Sequence, residues 1–194
     1  MGKYLEDVPS DWKEKLALTA IPKDGAAYND SFSVHADLPI NYWGQIYTLE
    51  SDILTDISAC RTEGRVVMTL SLSARVSAPC SRCLETAHKD IAGEFRYILS
   101  LDRDETAEDT AKDASCGDDD IVVLDSWEDD VDLGPIVWES LISLLPSAML
   151  CRDDCKGLCP QCGENLNKKR CGCKVGVRDP RFDVLKNLME ENDK

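Results

Sequence analysis

The sequence predicts an α+β chain: an antiparallel β-rich core, a few helices and a cysteine-rich C-terminal element. Three observations carry this. From Gly64 onward apolar residues fall on every second position, after Gly134-Pro135 they recur every three or four, and six cysteines stand within residues 151–173. The first spacing belongs to a strand with one buried face and the second to a helix with one apolar stripe. The third is too dense for packing and reads as a ligand pattern.

Taken in order, Ser31 to Leu38 and Tyr42 to Leu49 read as short strands separated by Pro39. Val66, Met68, Leu70, Leu72, Ala74, Val76 and Ala78 then alternate with mostly small polar or charged residues, which predicts a long half-buried strand. After Cys80-Ser81-Arg82-Cys83 the odd positions Ile91, Phe95, Tyr97 and Leu99 mark a second strand, so the two form a hairpin with CxxC at its tip. Cys60 is expected on a strand as a small buried hydrophobe. Ile136, Val137, Leu141, Leu144 and Leu145 predict a helix that Pro146 ends, with Pro135 at its first position, where a missing N–H costs nothing. A last helix is expected from an Asp179 N-cap through Phe182, Leu185, Leu188 and Met189.

The 194 residues hold 37 acidic and 22 basic side chains, a net charge of −15. The excess is local, because residues 102–132 carry fourteen acidic side chains against Arg103 and Lys112. Asp102 to Asp120 has almost no apolar residues and reads as a loop, with Cys116 in it as a free thiol. Four segments follow: a β-rich core with the CxxC hairpin at 1–101, an acidic loop or arm at 102–132, a core helix at 133–150, and a Cys-rich tail with a terminal helix at 151–194. This charge argues against a protein that coats nucleic acid indiscriminately, since such binding draws on Lys and Arg. No apolar run nears the ~20 residues of a membrane span, and the N-terminus carries no export pattern. The expectation is a soluble cytoplasmic protein with no membrane partner.

In a reducing compartment, clustered cysteines are metal ligands more often than disulfides. Cys159-Pro-Gln-Cys162-Gly163 has the form of a zinc knuckle, and Cys171-Gly-Cys173 can close its sphere. Setting aside Cys60 and Cys116 leaves eight cysteines, enough for two sites of four thiolates each. The preferred pairing joins Cys159, Cys162, Cys171 and Cys173 in a zinc-ribbon-like tail site, and Cys80 and Cys83 with Cys151 and Cys155 in a second. In alternative arrangements Cys155 replaces Cys171 or Cys173, or His88 joins Cys80 and Cys83. One or two Zn ions are expected, and full thiolate coordination leaves no open position for catalysis. A redox dithiol is one rival reading, but it wants a helix N-terminus that neither CxxC pair has; an iron–sulfur cluster, which also accepts four thiolates, is the other. His35 and His88 are the only histidines, and no phosphate loop or nucleophile elbow occurs. An enzyme with a small-molecule substrate is therefore not expected.

The Cys80-Ser-Arg-Cys83-Leu84-Glu85 turn after a long strand, the helix end Leu144-Leu145-Pro146, the run Cys155-Lys-Gly-Leu-Cys-Pro-Gln-Cys-Gly-Glu-Asn-Leu-Asn167, and Asp179-Pro180-Arg181-Phe182 with Leu185 and Leu188 together resemble the YceD family. The resemblance covers roughly residues 30–190. It implies a non-enzymatic role in accumulation of large-subunit (23S) ribosomal RNA; the charge map adds the expected partner, a large-subunit ribosomal protein or the rRNA. The acidic arm would suit a basic protein. Lys168, Lys169, Arg170, Lys174, Arg178 and Arg181, around the knuckle, are the candidate RNA contacts.

Overall fold

The computed structural model describes residues 4–62, 64–101, 120–127 and 130–173. Nine strands, one 3-10 turn and one helix lie in these residues. The strands are β1 (Lys15–Ala17), β2 (Tyr28–Val34), β3 (Ile40–Tyr42), β4 (Gln45–Leu49), β5 (Ile53–Thr62), β6 (Arg65–Pro79), β7 (Thr86–Ser100), β8 (Asp120–Val123) and β9 (Asp130–Asp132). Helix α1 spans Leu133–Leu144.

Strand β6 is the spine of a seven-stranded sheet. Along one edge it pairs antiparallel with β5 and then, near its C-terminal end, with β4; along the other it pairs antiparallel with β7 over fourteen residues. Strands β2 and β3 extend the first edge, and β8 adds parallel to β7. The alternation read from the sequence is the observed burial: Val66, Met68, Leu70, Leu72, Ala74, Val76 and Ala78 are all buried. In β5 the same face carries Ile53, Thr55, Ile57 and Ala59.

One face of the sheet receives α1. On β7, Gly93 interrupts the row Ile91, Phe95, Tyr97, and the missing side chain makes room for the helix, since a Cβ there would lie 2.5 Å from Leu144 Cδ2. Tyr97 Oη and Ser140 Oγ stand 2.9 Å apart within this contact, and Ser140 donates to the Ile136 carbonyl. The Trp12 and Trp138 rings meet edge to face, 6.0 Å between centroids, a preferred aromatic geometry. Trp12 Nε1 donates to the His35 carbonyl at 2.7 Å and ties the N-terminal segment to the end of β2.

Several expectations change. The first strand pair becomes three strands, because Trp43-Gly44 forms a two-residue hairpin turn between Tyr42 and Gln45, both turn residues having positive φ. Helix α1 starts two residues before Pro135. Asp132 Oδ1 accepts from Gly134 N at 3.0 Å and caps it, so Pro135 sits third, still in the first turn, where no intrahelical N–H bond is lost. The expected acidic arm at 102–132 ends in strands: Ile121 to Leu124 and Val131 break the acidic run, and Asp120–Val123 and Asp130–Asp132 pair with β7 and β1. Cys60 is half-buried, on the polar face of β5. Residues 102–119, Cys116 and the expected terminal helix lie outside the described residues, and no described helix is long and apolar enough to cross a membrane.

A small pH effect follows from the end of β2. The Asp52 carboxylate, 2.7 Å from His35 Nδ1, raises the imidazole above its usual 6.5, with Asp37 adding to it. A raised folded-state pKa gives stability that is present below the unfolded-state value and lost as pH rises through the folded one. In an NMR titration His35 should reach its midpoint above 6.5, and Asp52→Asn should bring it back down.

Candidate metal centres

The CxxC turns of the two quartets are built alike. In each, the first cysteine's carbonyl accepts from the N–H four residues on, and its own N–H donates to the carbonyl five residues on. These bonds are Leu84 N to Cys80 O at 2.9 Å and Cys80 N to Glu85 O at 2.7 Å, against Gly163 N to Cys159 O at 2.9 Å and Cys159 N to Glu164 O at 2.8 Å. The residue after the second cysteine is left-handed in both, with φ of 62° at Leu84 and 73° at Gly163. Glycine takes this conformation freely, while another L-residue is strained by about 1–2 kcal/mol.

The sheet brings one turn to the other half of its site. The β6–β7 hairpin carries Cys80 and Cys83 at its tip. After α1 and Pro146, the chain returns along that tip, where Ser81 N donates to Met149 O and Leu158 N to Arg82 O. Arg82 Nη1 donates to the Cys155 carbonyl at 3.0 Å. Cys80, Cys83, Cys151 and Cys155 thereby converge, and Cys159, Cys162, Cys171 and Cys173 form a separate local quartet; within each, all sulfurs lie within 4.8 Å of one another. The structure assembles the preferred pairing. Cys155 belongs to the first quartet, and His88 joins neither, its Nδ1 lying 2.8 Å from the Glu50 carboxylate.

Four sulfurs at about 2.3 Å from a tetrahedral Zn stand about 3.8 Å apart. Cys80 Sγ and Cys155 Sγ are 3.8 Å apart, and Cys83 Sγ and Cys151 Sγ are 3.6 Å apart. Charge fits too. Burial opposes ionisation of Cys80, yet the backbone N–H groups of Arg82, Cys83 and Cys151 hold its thiol down to about 6. In the second quartet the N–H groups of Cys162 and Gln161 hold Cys159 down to about 6. Other members go the opposite way: loss of solvent and the neighbouring Cys155 and Cys83 push Cys151 up to about 12, and Cys162 beside it pushes Cys173 up to about 12. Four thiolates cannot share one small volume without a cation, and a dication at the centre removes the conflict.

Sequence reasoning missed Asn167. Its Nδ2 donates to Cys155 Sγ at 3.3 Å while its Oδ1 accepts from Lys156 N at 2.8 Å, so one side chain orients a ligand and closes the tail loop, as supporting residues around metal sites do. The Asn165-Leu-Asn167 spacing carried that signal, since Asn165 Oδ1 accepts from Asn167 N. Of the candidate RNA contacts, Lys168 is ion-paired with Glu85 beside the first CxxC turn. Lys169 and Arg170 are exposed in the loop leading to Cys171, and Lys174, Arg178 and Arg181 lie outside the described residues.

The family model for the large ribosomal RNA subunit accumulation protein YceD matches residues 68–189, more than half of the chain and all eight quartet cysteines. The chain belongs to the YceD family. A chloroplastic YCED homolog 1 of Arabidopsis thaliana, named as a large ribosomal RNA subunit accumulation protein, is 28% identical over 209 residues, covering 98% of this chain and 59% of that protein. This chain thus spans well under two thirds of that YceD relative. An uncharacterized protein of Mycobacterium tuberculosis is 26% identical over 170 residues, 86% of this chain and 76% of its own length. The Zea mays YCED homolog 1 is 25% identical over 146 residues, 63% of this chain and 48% of that protein. No solved structure matches this YceD chain.

Proposed function

We propose that this protein is a non-enzymatic factor that supports accumulation of large-subunit ribosomal RNA by binding a large-subunit ribosomal protein or the rRNA, with zinc in both quartets as a structural element. The single observation that carries this reading is the family match, which runs from β6 through both quartets. The donor chemistry supports its second half. Each quartet consists of four thiols with no fifth group aimed at its centre among the described residues, the arrangement of a closed site and not of a catalytic one. A bound ion would supply folding energy by fixing four side chains at once.

Removing the protein from its cell should lower the ratio of large- to small-subunit rRNA, and the wild-type chain should restore it. An unchanged ratio would contradict the reading. Direct RNA contact through the tail has its own test. A filter-binding titration with ribosomal RNA should weaken for Lys168→Ala/Lys169→Ala/Arg170→Ala and lose up to about three units of salt slope, one per lost phosphate contact. Equal curves would remove this patch from the RNA interface.

A further inference from the structure

We propose that the end of the sheet bearing the first quartet is a docking surface for a basic protein, with Trp43 and Leu84 as its apolar anchors. The proposal rests on the functional reading above for the kind of partner and on the fold for the surface. Among the described residues these two are the only non-glycine residues with positive φ, at 51° and 62°. They are also the most exposed large apolar side chains there, at 93% and 67%.

Both stand at one end of the molecule. Strand β4 runs antiparallel to β6, and Gln45 Nε2 donates to the Pro79 carbonyl at 3.2 Å, which sets the Trp43-Gly44 turn beside the Cys80–Cys83 turn. The fold buries neither side chain: Leu84 stands exposed, and Trp43 leans on the ring of its chain neighbour Tyr42, 5.9 Å between centroids, with almost all of its own surface left open. A two-residue hairpin turn with positive φ at its first central position suits Asn, Asp or Gly, and the second CxxC turn uses glycine where the first has Leu84. Strain kept at two neighbouring exposed apolar residues marks a surface that serves something other than folding.

Charge selects the partner. Ile40 to Leu49 carries no ionisable side chain other than its tyrosines, so the strand pair that presents Trp43 itself offers a phosphate backbone no cation. A charge-poor aromatic centre inside a polar rim is instead the anatomy of a protein–protein hot spot. Around the quartets, Arg82, Arg152, Lys156 and the run 168–170 give six basic side chains against four acidic ones. Two centres filled by Zn and four thiolates, at −2 each, turn that excess into a deficit, in a chain whose net charge is already −15. The complementary partner is therefore basic, with an apolar cleft for the two projecting side chains.

The test uses the zinc-loaded full chain and two sets of probes: the individually separated basic proteins of large ribosomal subunits, and the rRNA of the same subunits. Trp12 and Trp138 are buried and Trp127 half-buried, so the acrylamide quenching that the wild type shows beyond Trp43→Asn reads Trp43. Trp43→Asn/Leu84→Gly places residues suited to left-handed backbone at both positions, and its Tm should equal or exceed that of the wild type. At least one of the proteins should protect Trp43 from quenching and bind this variant at least about tenfold more weakly than the wild type. Equal affinity of wild type and variant for every such protein overturns the proposal, as does a loss confined to rRNA, which would assign Trp43 to base stacking. A wild type that binds neither probe overturns both this proposal and the functional reading, whereas binding that the variant retains overturns this proposal alone.

Discussion

Cys155→Ser should lower the Tm of the zinc-loaded chain by about 8–16 °C and release one of its two metal ions, on the scale of about 4 kcal/mol or more that loss of a structural metal reaches and about 2–4 °C per kcal/mol for a domain of this size. Cys155 is buried and belongs to the same hydrophobic cluster as Cys80, Cys83, Leu70 and Leu141, so its site is part of the core. It takes the Asn167 amide on its sulfur, and its carbonyl takes Arg82. Serine removes a thiolate from a four-ligand site and leaves the three remaining sulfurs crowded without a full complement for the ion. Cys173→Ser is the matched control. Its quartet is local, with Cys162 exposed and Cys171 and Cys173 half-buried, so that variant should also lose one ion but move Tm much less. Differential scanning calorimetry with metal analysis checks both, and equal Tm losses would contradict the division between a core-embedded and a peripheral centre.

Gly157→Ala should destabilise the chain by about 2–3 kcal/mol and make the first ion easier to strip, through backbone strain and a weakened hydrogen bond. Gly157 has φ of 74°, and a Cβ there would stand 3.0 Å from the Arg82 carbonyl oxygen and 3.3 Å from Arg82 Cβ. That carbonyl accepts from Leu158 N, and the Gly157 carbonyl accepts from Leu166 N. Alanine therefore adds left-handed strain of about 1–2 kcal/mol and pushes apart the hydrogen bond that lays the tail on the hairpin, worth about 1 kcal/mol. Chelator titration followed by denaturant unfolding measures both effects. A variant with wild-type stability and metal retention would mean that the tail does not lean on the hairpin at this point.

The parts of this molecule that could be read from sequence are those with one dominant period or spacing. Strand β6 was legible because its buried face lies against the core along nearly its whole length, and the quartets because CxxC and CxC leave thiolates few ways to share an ion. Strands β1 and β9 were not, and β5 was expected only around Cys60. β1 and β9 are three residues each, and β5 alternates Ile, Thr, Ile, Ala, with the Thr55 hydroxyl buried and unpartnered. The Trp43-Gly44 turn was hidden because a tryptophan at a left-handed position violates the turn rule that would reveal it. Such a violation is what a surface kept for a partner leaves in a sequence. Asn167 looked like an ordinary turn residue, and only the convergence of the tail on Cys155 gives it a role.

The account turns on two four-cysteine metal centres, one of which ties the tail to the β6–β7 hairpin. The most direct measurement is native mass spectrometry of the full chain purified without chelator, with thiol counting before and after metal removal. The prediction is two zinc ions per chain, with the eight quartet cysteines protected until the metal is removed. A metal-free folded chain whose quartet thiols react at once, or are paired as disulfides, would contradict it.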